Sequence, residues 1–72
     1  MEKNKEFLDL MAKRGVSPVN LATKLGVSER AVQYWIKGRN KPSIVQLLKM
    51  EKIFHVSVKK LYSMFKDNEF KI

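Results

Sequence analysis

The chain has 72 residues, 44% of them apolar, and sets 15 Lys and Arg against seven Asp and Glu for a net charge of +8. One domain is all that such a length holds. With no cysteine and a single histidine, neither disulfides nor thiolate zinc can staple it, so packing alone must supply the stability. The excess of positive charge attracts polyanions, nucleic acid first among them. No charged leader precedes an apolar stretch and the apolar runs are short, so neither a signal peptide nor a membrane span is expected.

In chain order, Asn4 reads as the N-cap of a helix to about Arg14, with Phe7, Leu8, Leu10 and Met11 inward at helical spacing and Gly15 ending it. Ser17 caps a second helix whose first position is Pro18, a residue with the fixed backbone angle that position wants. Leu21, Ala22 and Leu25 form its apolar stripe. Gly26 and Ser28 repeat the stop and the start, and Val32, Trp35 and Ile36 form the stripe of a third helix. Two short helices about a glycine turn make a helix-turn-helix. The segment Gly38-Arg39-Asn40-Lys41-Pro42 reads as a loop. Ser43 then caps a fourth helix through about Phe54, with a wide buried face of Ile44, Leu47, Leu48, Met50, Ile53 and Phe54. Ser57 caps a fifth, with Val58, Leu61, Tyr62 and Phe65 as its apolar positions, and Lys66-Asp67-Asn68-Glu69 is expected to be exposed. The predicted fold is all-α: a compact five-helix bundle forming one domain over residues 1–72, with its core at about 5–65 and a short tail over 66–72.

No catalytic constellation is visible. Nucleophilic chemistry needs a base beside a Ser, Cys or Lys, and acid/base hydrolysis needs converging carboxylates. The serines ahead of the helices read as caps. His55 has no partners at ligand spacing, so no metal, no cofactor and no enzymatic activity are expected.

What the core leaves over is the outward face of the third helix: Ser28, Glu29, Arg30, Gln33, Tyr34 and Lys37. Long polar side chains on such a face can reach base edges in a DNA major groove. The run SPVNLATKLGVSERAV, Trp35 three residues after Val32, Gly38, and the Lys41-Pro42-Ser43 opening of a further helix resemble the lambda-repressor-like, Cro-type (XRE) family of helix-turn-helix DNA-binding domains, over roughly Phe7 to Leu61. The resemblance implies base contacts from Ser28, Glu29, Arg30, Gln33 and Tyr34. It implies phosphate contacts from Ser17, Lys37, Arg39, Asn40, Lys41 and Ser43, with Lys24 in addition. By their chemistry, Arg30 suits guanine, Glu29 the cytosine amino group, and Gln33 adenine or a phosphate. Trp35 is expected to pack between helices.

Two departures from the family pattern stand out. Many relatives begin the first motif helix with a glutamine that touches phosphate, and this chain has Pro18 there. Relatives also join an Arg of the first helix to a Glu near the end of the recognition helix, where this chain has Met11 and Ile36. Replacing both members of a buried ion pair by apolar residues can be neutral or stabilising.

The function implied is a small sequence-specific transcription regulator of a phage or mobile-element switch, cytoplasmic in a bacterial host and paired as a homodimer on a near-palindromic operator. No separate ligand-sensing domain is expected. A rival of another class, which the sequence also resembles, is a modulator of repression that seizes a partner repressor. Either use needs a contact surface, expected at Leu61, Phe65, Phe70 and Ile72.

Overall fold

The computed structural model describes residues 3–66 and residue 68. Among these, five helices run in the order α1 (Lys5–Arg14), α2 (Pro18–Leu25), α3 (Glu29–Ile36), α4 (Ile44–Phe54) and α5 (Val58–Phe65), with no strand. The boundaries follow from local chemistry. Asn4, Ser17, Ser28, Ser43 and Ser57 each sit in extended backbone with a side-chain oxygen accepting from the amide three residues on, which satisfies a first-turn donor. After α1, α2 and α4 the chain turns through a left-handed residue at the C-cap. Beyond α2, Gly26 at φ 72 lets Val27 N–H reach back to Ala22 C=O at 3.0 Å, so the helix closes and the chain reverses within two residues. After α4, His55 takes the left-handed conformation at φ 58 without being a glycine, its own N–H bonded to Glu51 C=O at 2.9 Å.

The core gathers around Phe7 of α1, fully buried between Phe54 of α4 and Phe65 of α5. The Phe7 ring meets Phe65 at 4.8 Å between centroids and Phe54 at 6.5 Å, both edge to face, the arrangement that aromatic quadrupoles favour. Leu21, Leu25, Val32, Trp35 and Ile36 extend this core beneath the α2–α3 unit, and Leu47, Met50, Leu61 and Met64 complete it. Pairwise, α2 packs chiefly on α3 and α4 on α5, with α1 touching both α3 and α4.

Several expectations are corrected. Leu61 and Phe65 are 0% and 2% exposed, so they close this molecule's own core and cannot serve as a surface contact. The Phe65 ring is taken up by its edge-to-face contact with Phe7. Phe70 and Ile72, the rest of that expected contact, lie outside the described residues. The buried face of α4 is a narrower stripe, Leu47, Met50 and Phe54, with Ile53 half-buried; Ile44 and Leu48 stand 58% and 51% exposed, on a face that the packing against α1, α2 and α5 leaves uncovered. Tyr62 likewise points outward from α5. Asn68, expected in solvent, is buried.

Candidate nucleic-acid interface

The α2–α3 unit is set by its caps. Ser17 Oγ accepts from Asn20 N–H and Ser28 Oγ from Ala31 N–H, each at 3.1 Å. Lys49, on α4, donates its ammonium to Leu25 C=O at 3.5 Å and so ties α4 to the end of α2. Sequence reasoning missed Lys49, since nothing local links it to a residue 24 positions earlier.

Val32, Trp35 and Ile36 fix the rotation of α3 by turning inward. Trp35 is buried as expected, which excludes it from stacking on a base. With 3.6 residues per turn, the opposite face is then centred on Arg30, Tyr34 and Lys37, with Glu29 and Gln33 on its flank. Ser28, Glu29, Arg30 and Lys37 are exposed, and Gln33 and Tyr34 half-buried, so all of the residues expected to read bases lie on the first turns of one helix surface. Glu29 also stands in the first turn, where its carboxylate suits the positive end of the helix.

The loop after α3 carries the cations. Lys37 ends the helix, Gly38 turns at φ 76, and Arg39 N–H returns to Tyr34 C=O at 2.9 Å. Arg39 and Lys41 are exposed, Asn40 is half-buried, and Pro42 is buried, which seats the loop against the body of the protein. Ser43 follows as the cap of α4 in a reciprocal arrangement: its Oγ accepts from Gln46 N–H at 3.3 Å, and its own N–H donates to Gln46 Oε1 at 2.8 Å. The Ser43 amide is therefore spent internally. Its hydroxyl proton and the free first-turn amides of α4 are what remain for an anion.

Ser17 and Lys24 occupy opposite ends of α2, a helix of 8 residues, so they cannot hold the same phosphate. Both are exposed. Ser17 stands at a helix start whose first position, Pro18, has no amide to offer. The exposed residues of this surface thus combine one helix of hydrogen-bonding side chains with flanking cations, the division between base readout and backbone positioning that duplex DNA requires.

Other surfaces look different. A groove between α1 and the α4–α5 turn is lined by Glu6, Asp9, Lys13, Arg14, His55 and Lys60, mixed in sign and open to solvent. Among the described residues no cluster of His, Asp and Glu could hold a metal ion, and no helix is long and apolar enough to cross a membrane.

No curated protein and no solved structure matches the chain. Residues 8–61 match the profile of a helix-turn-helix family of the XRE type. That span runs from within α1 into α5 and takes in every element that shapes the α2–α3 unit, so the chain belongs to this helix-turn-helix family of DNA-binding regulators.

Proposed function

We propose that the protein is a sequence-specific transcription regulator of the Cro type, acting in the genetic switch of a temperate phage or related mobile element. The observation that carries this reading is the outward face of α3, where Arg30, Tyr34, Gln33 and Glu29 are presented together beside the cationic loop of Lys37, Arg39 and Lys41. Arg30 donates to guanine O6 and N7, Gln33 pairs with adenine or steadies a phosphate, and Glu29 accepts from cytosine N4. Ser28 and Tyr34 add contacts at the groove edge. Ser17, Lys24, Asn40, Lys41 and Ser43 hold the backbone on either side and set the register of α3 in the groove.

A module this small gains affinity by pairing on two half-sites one DNA turn apart, roughly 34 Å. Since Leu61 and Phe65 are committed to the core, a surface open to a second copy among the described residues is the first part of α4, where Ile44, Val45 and Leu48 are 58%, 57% and 51% exposed. That same aliphatic face favours the second reading, a modulator that binds a partner repressor. Three large aliphatic side chains within two turns are an unusual surface for a domain that meets only DNA.

A gel shift on the intergenic DNA flanking the gene, with and without the product of the neighbouring repressor gene, separates the two. A shift by this protein alone supports the Cro-type reading. A shift that needs the repressor, or loss of the repressor's own shift, supports the modulator and sinks the first reading.

A further inference from the structure

Asn68 is the one buried polar residue among those described, and it lies beyond α5, seven residues past the stretch that the family profile matches. Its side-chain amide donates to Trp35 C=O at 3.0 Å and to Asn40 C=O at 2.7 Å. Those two carbonyls bracket Lys37, Gly38 and Arg39, so the amide group bridges the loop from one side to the other. The Asn68 Oδ1 accepts from Asn4 Nδ2 at 3.0 Å, and the same Asn4 nitrogen donates to Met64 C=O at 3.0 Å. Asn4 also gives its backbone N–H to Ile36 C=O at 2.7 Å. The orientation of the Asn68 amide follows from its partners, because a flipped group would set its oxygen against two carbonyls.

The last carbonyls of α3 would ordinarily face solvent or a ligand. Here Tyr34 C=O takes Arg39 N–H, Trp35 C=O takes Gly38 N–H and Asn68, and Ile36 C=O takes Asn4 N–H. We infer that Asn68 is a positioning residue for nucleic-acid binding: with Asn4 it clasps the end of the recognition helix and holds the following loop so that Lys37, Arg39 and Lys41 meet the phosphate backbone in a fixed arrangement. This rests on the DNA-binding reading above and deepens it. Asn68 uses both donors and the acceptor of its amide here, so an aspartate in its place, which lacks the donors, cannot close the same arrangement.

Asn4→Asp separates the clasp from ordinary helix capping. Aspartate caps as well as asparagine and can still accept from Phe7 N–H, whose bond to Asn4 Oδ1 is 3.1 Å. It cannot donate to Met64 C=O or Asn68 Oδ1. Asn68→Asp removes both donations to the loop and sets a carboxylate against the carbonyls of Trp35 and Asn40.

The test uses the full 72-residue chain and a mixed-sequence 24-base-pair duplex, comparing wild type, Asn68→Asp, Asn4→Asp and the core control Leu61→Val at a temperature where all four are folded. Binding by Asn68→Asp and Asn4→Asp should be about five- to tenfold weaker, with the slope of log K against log salt reduced by about one phosphate's share, ~0.9. Leu61→Val, which loosens the core without touching the loop, should bind as wild type does. In parallel, hydrogen exchange of the Gly38 and Arg39 amides should quicken at least tenfold in the two asparagine variants, and in Leu61→Val only as far as global stability falls. Wild-type affinity and slope in Asn68→Asp, with loop exchange tracking global stability, would overturn the inference. Should wild-type protein fail to bind the duplex at low salt, the DNA reading fails, and unchanged or quickened loop exchange decides by itself whether Asn68 sets the loop.

Discussion

His55 holds a left-handed backbone at φ 58, the one non-glycine residue among those described to do so. Its Cβ crowds the following carbonyl at a cost of about 1–2 kcal/mol, partly returned because histidine loses less backbone freedom on folding than glycine would. His55→Gly is therefore expected to stabilise the domain by ~0.5–1 kcal/mol in urea unfolding, with the denaturant slope unchanged. On the proposed DNA-facing surface of α3 and its loop, single side chains are expected to have separable roles. Arg30→Ala should lose about 1–3 kcal/mol at one base pair of the operator and little elsewhere. Lys41→Ala should weaken specific and non-specific duplex alike and reduce the salt slope by about one contact. Uniform losses from both substitutions, measured across a set of single base-pair changes, would remove the assignment of base readout to Arg30.

Between elements, the packing of α1 on α3 carries the departure from the family's ion pair. Met11 and Ile36 are 3% and 5% exposed, on two helices in contact, so the positions are as buried as an internal pair would be. Met11→Arg alone would place a guanidinium where no partner waits, costing several kcal/mol. Adding Ile36→Glu should recover part of that loss, read as a coupling energy in a double-mutant cycle. Purely additive damage would mean that the two side chains do not meet. The fourth helix makes a complementary point. Its apolar spacing allows a wide inward face, but the stripe of Leu47, Met50 and Phe54 is all that its neighbours cover, and periodicity cannot register how many neighbours a helix has.

At the scale of the whole molecule, the +8 charge makes affinity for DNA depend steeply on salt, about tenfold for each few-fold change when several phosphates are neutralised. A binding constant that stayed flat from low to physiological salt would count against DNA as the ligand. Assembly can be separated from folding by two substitutions. Phe65→Ala deletes a ring 2% exposed and in contact with Phe7, so it should cost about 3–5 kcal/mol, much of the stability such a domain has. Leu48→Lys, on the exposed face of α4, should leave the melting temperature within a degree or two while lowering any self-association seen by sedimentation. The opposite pattern, with Leu48→Lys silent in sedimentation and Phe65→Ala folded but monomeric, would return the contact surface to α5.

Sequence alone determined the local decisions. Asn4, Ser17, Ser28, Ser43 and Ser57 start helices and Gly15 and Gly26 end them because capping and left-handed turns involve residues within five positions of one another, and the order of those signals spells the helix-turn-helix. The outward face of α3 was legible for the same reason: the stripe of Val32, Trp35 and Ile36 leaves one side free. Tertiary structure decided which apolar residues the bundle could cover, sending Leu61 and Phe65 inward and leaving Ile44, Leu48 and Tyr62 outside. It also decided the fate of Asn68. A polar residue among charged neighbours looks solvated by every local measure, and only the return of α5 beside α1 and the end of α3 brings Asn4, Trp35 and Asn40 within hydrogen-bonding reach of it. Those partners lie 64, 33 and 28 positions away, a separation over which composition and periodicity carry no signal and chain folding alone sets the distance.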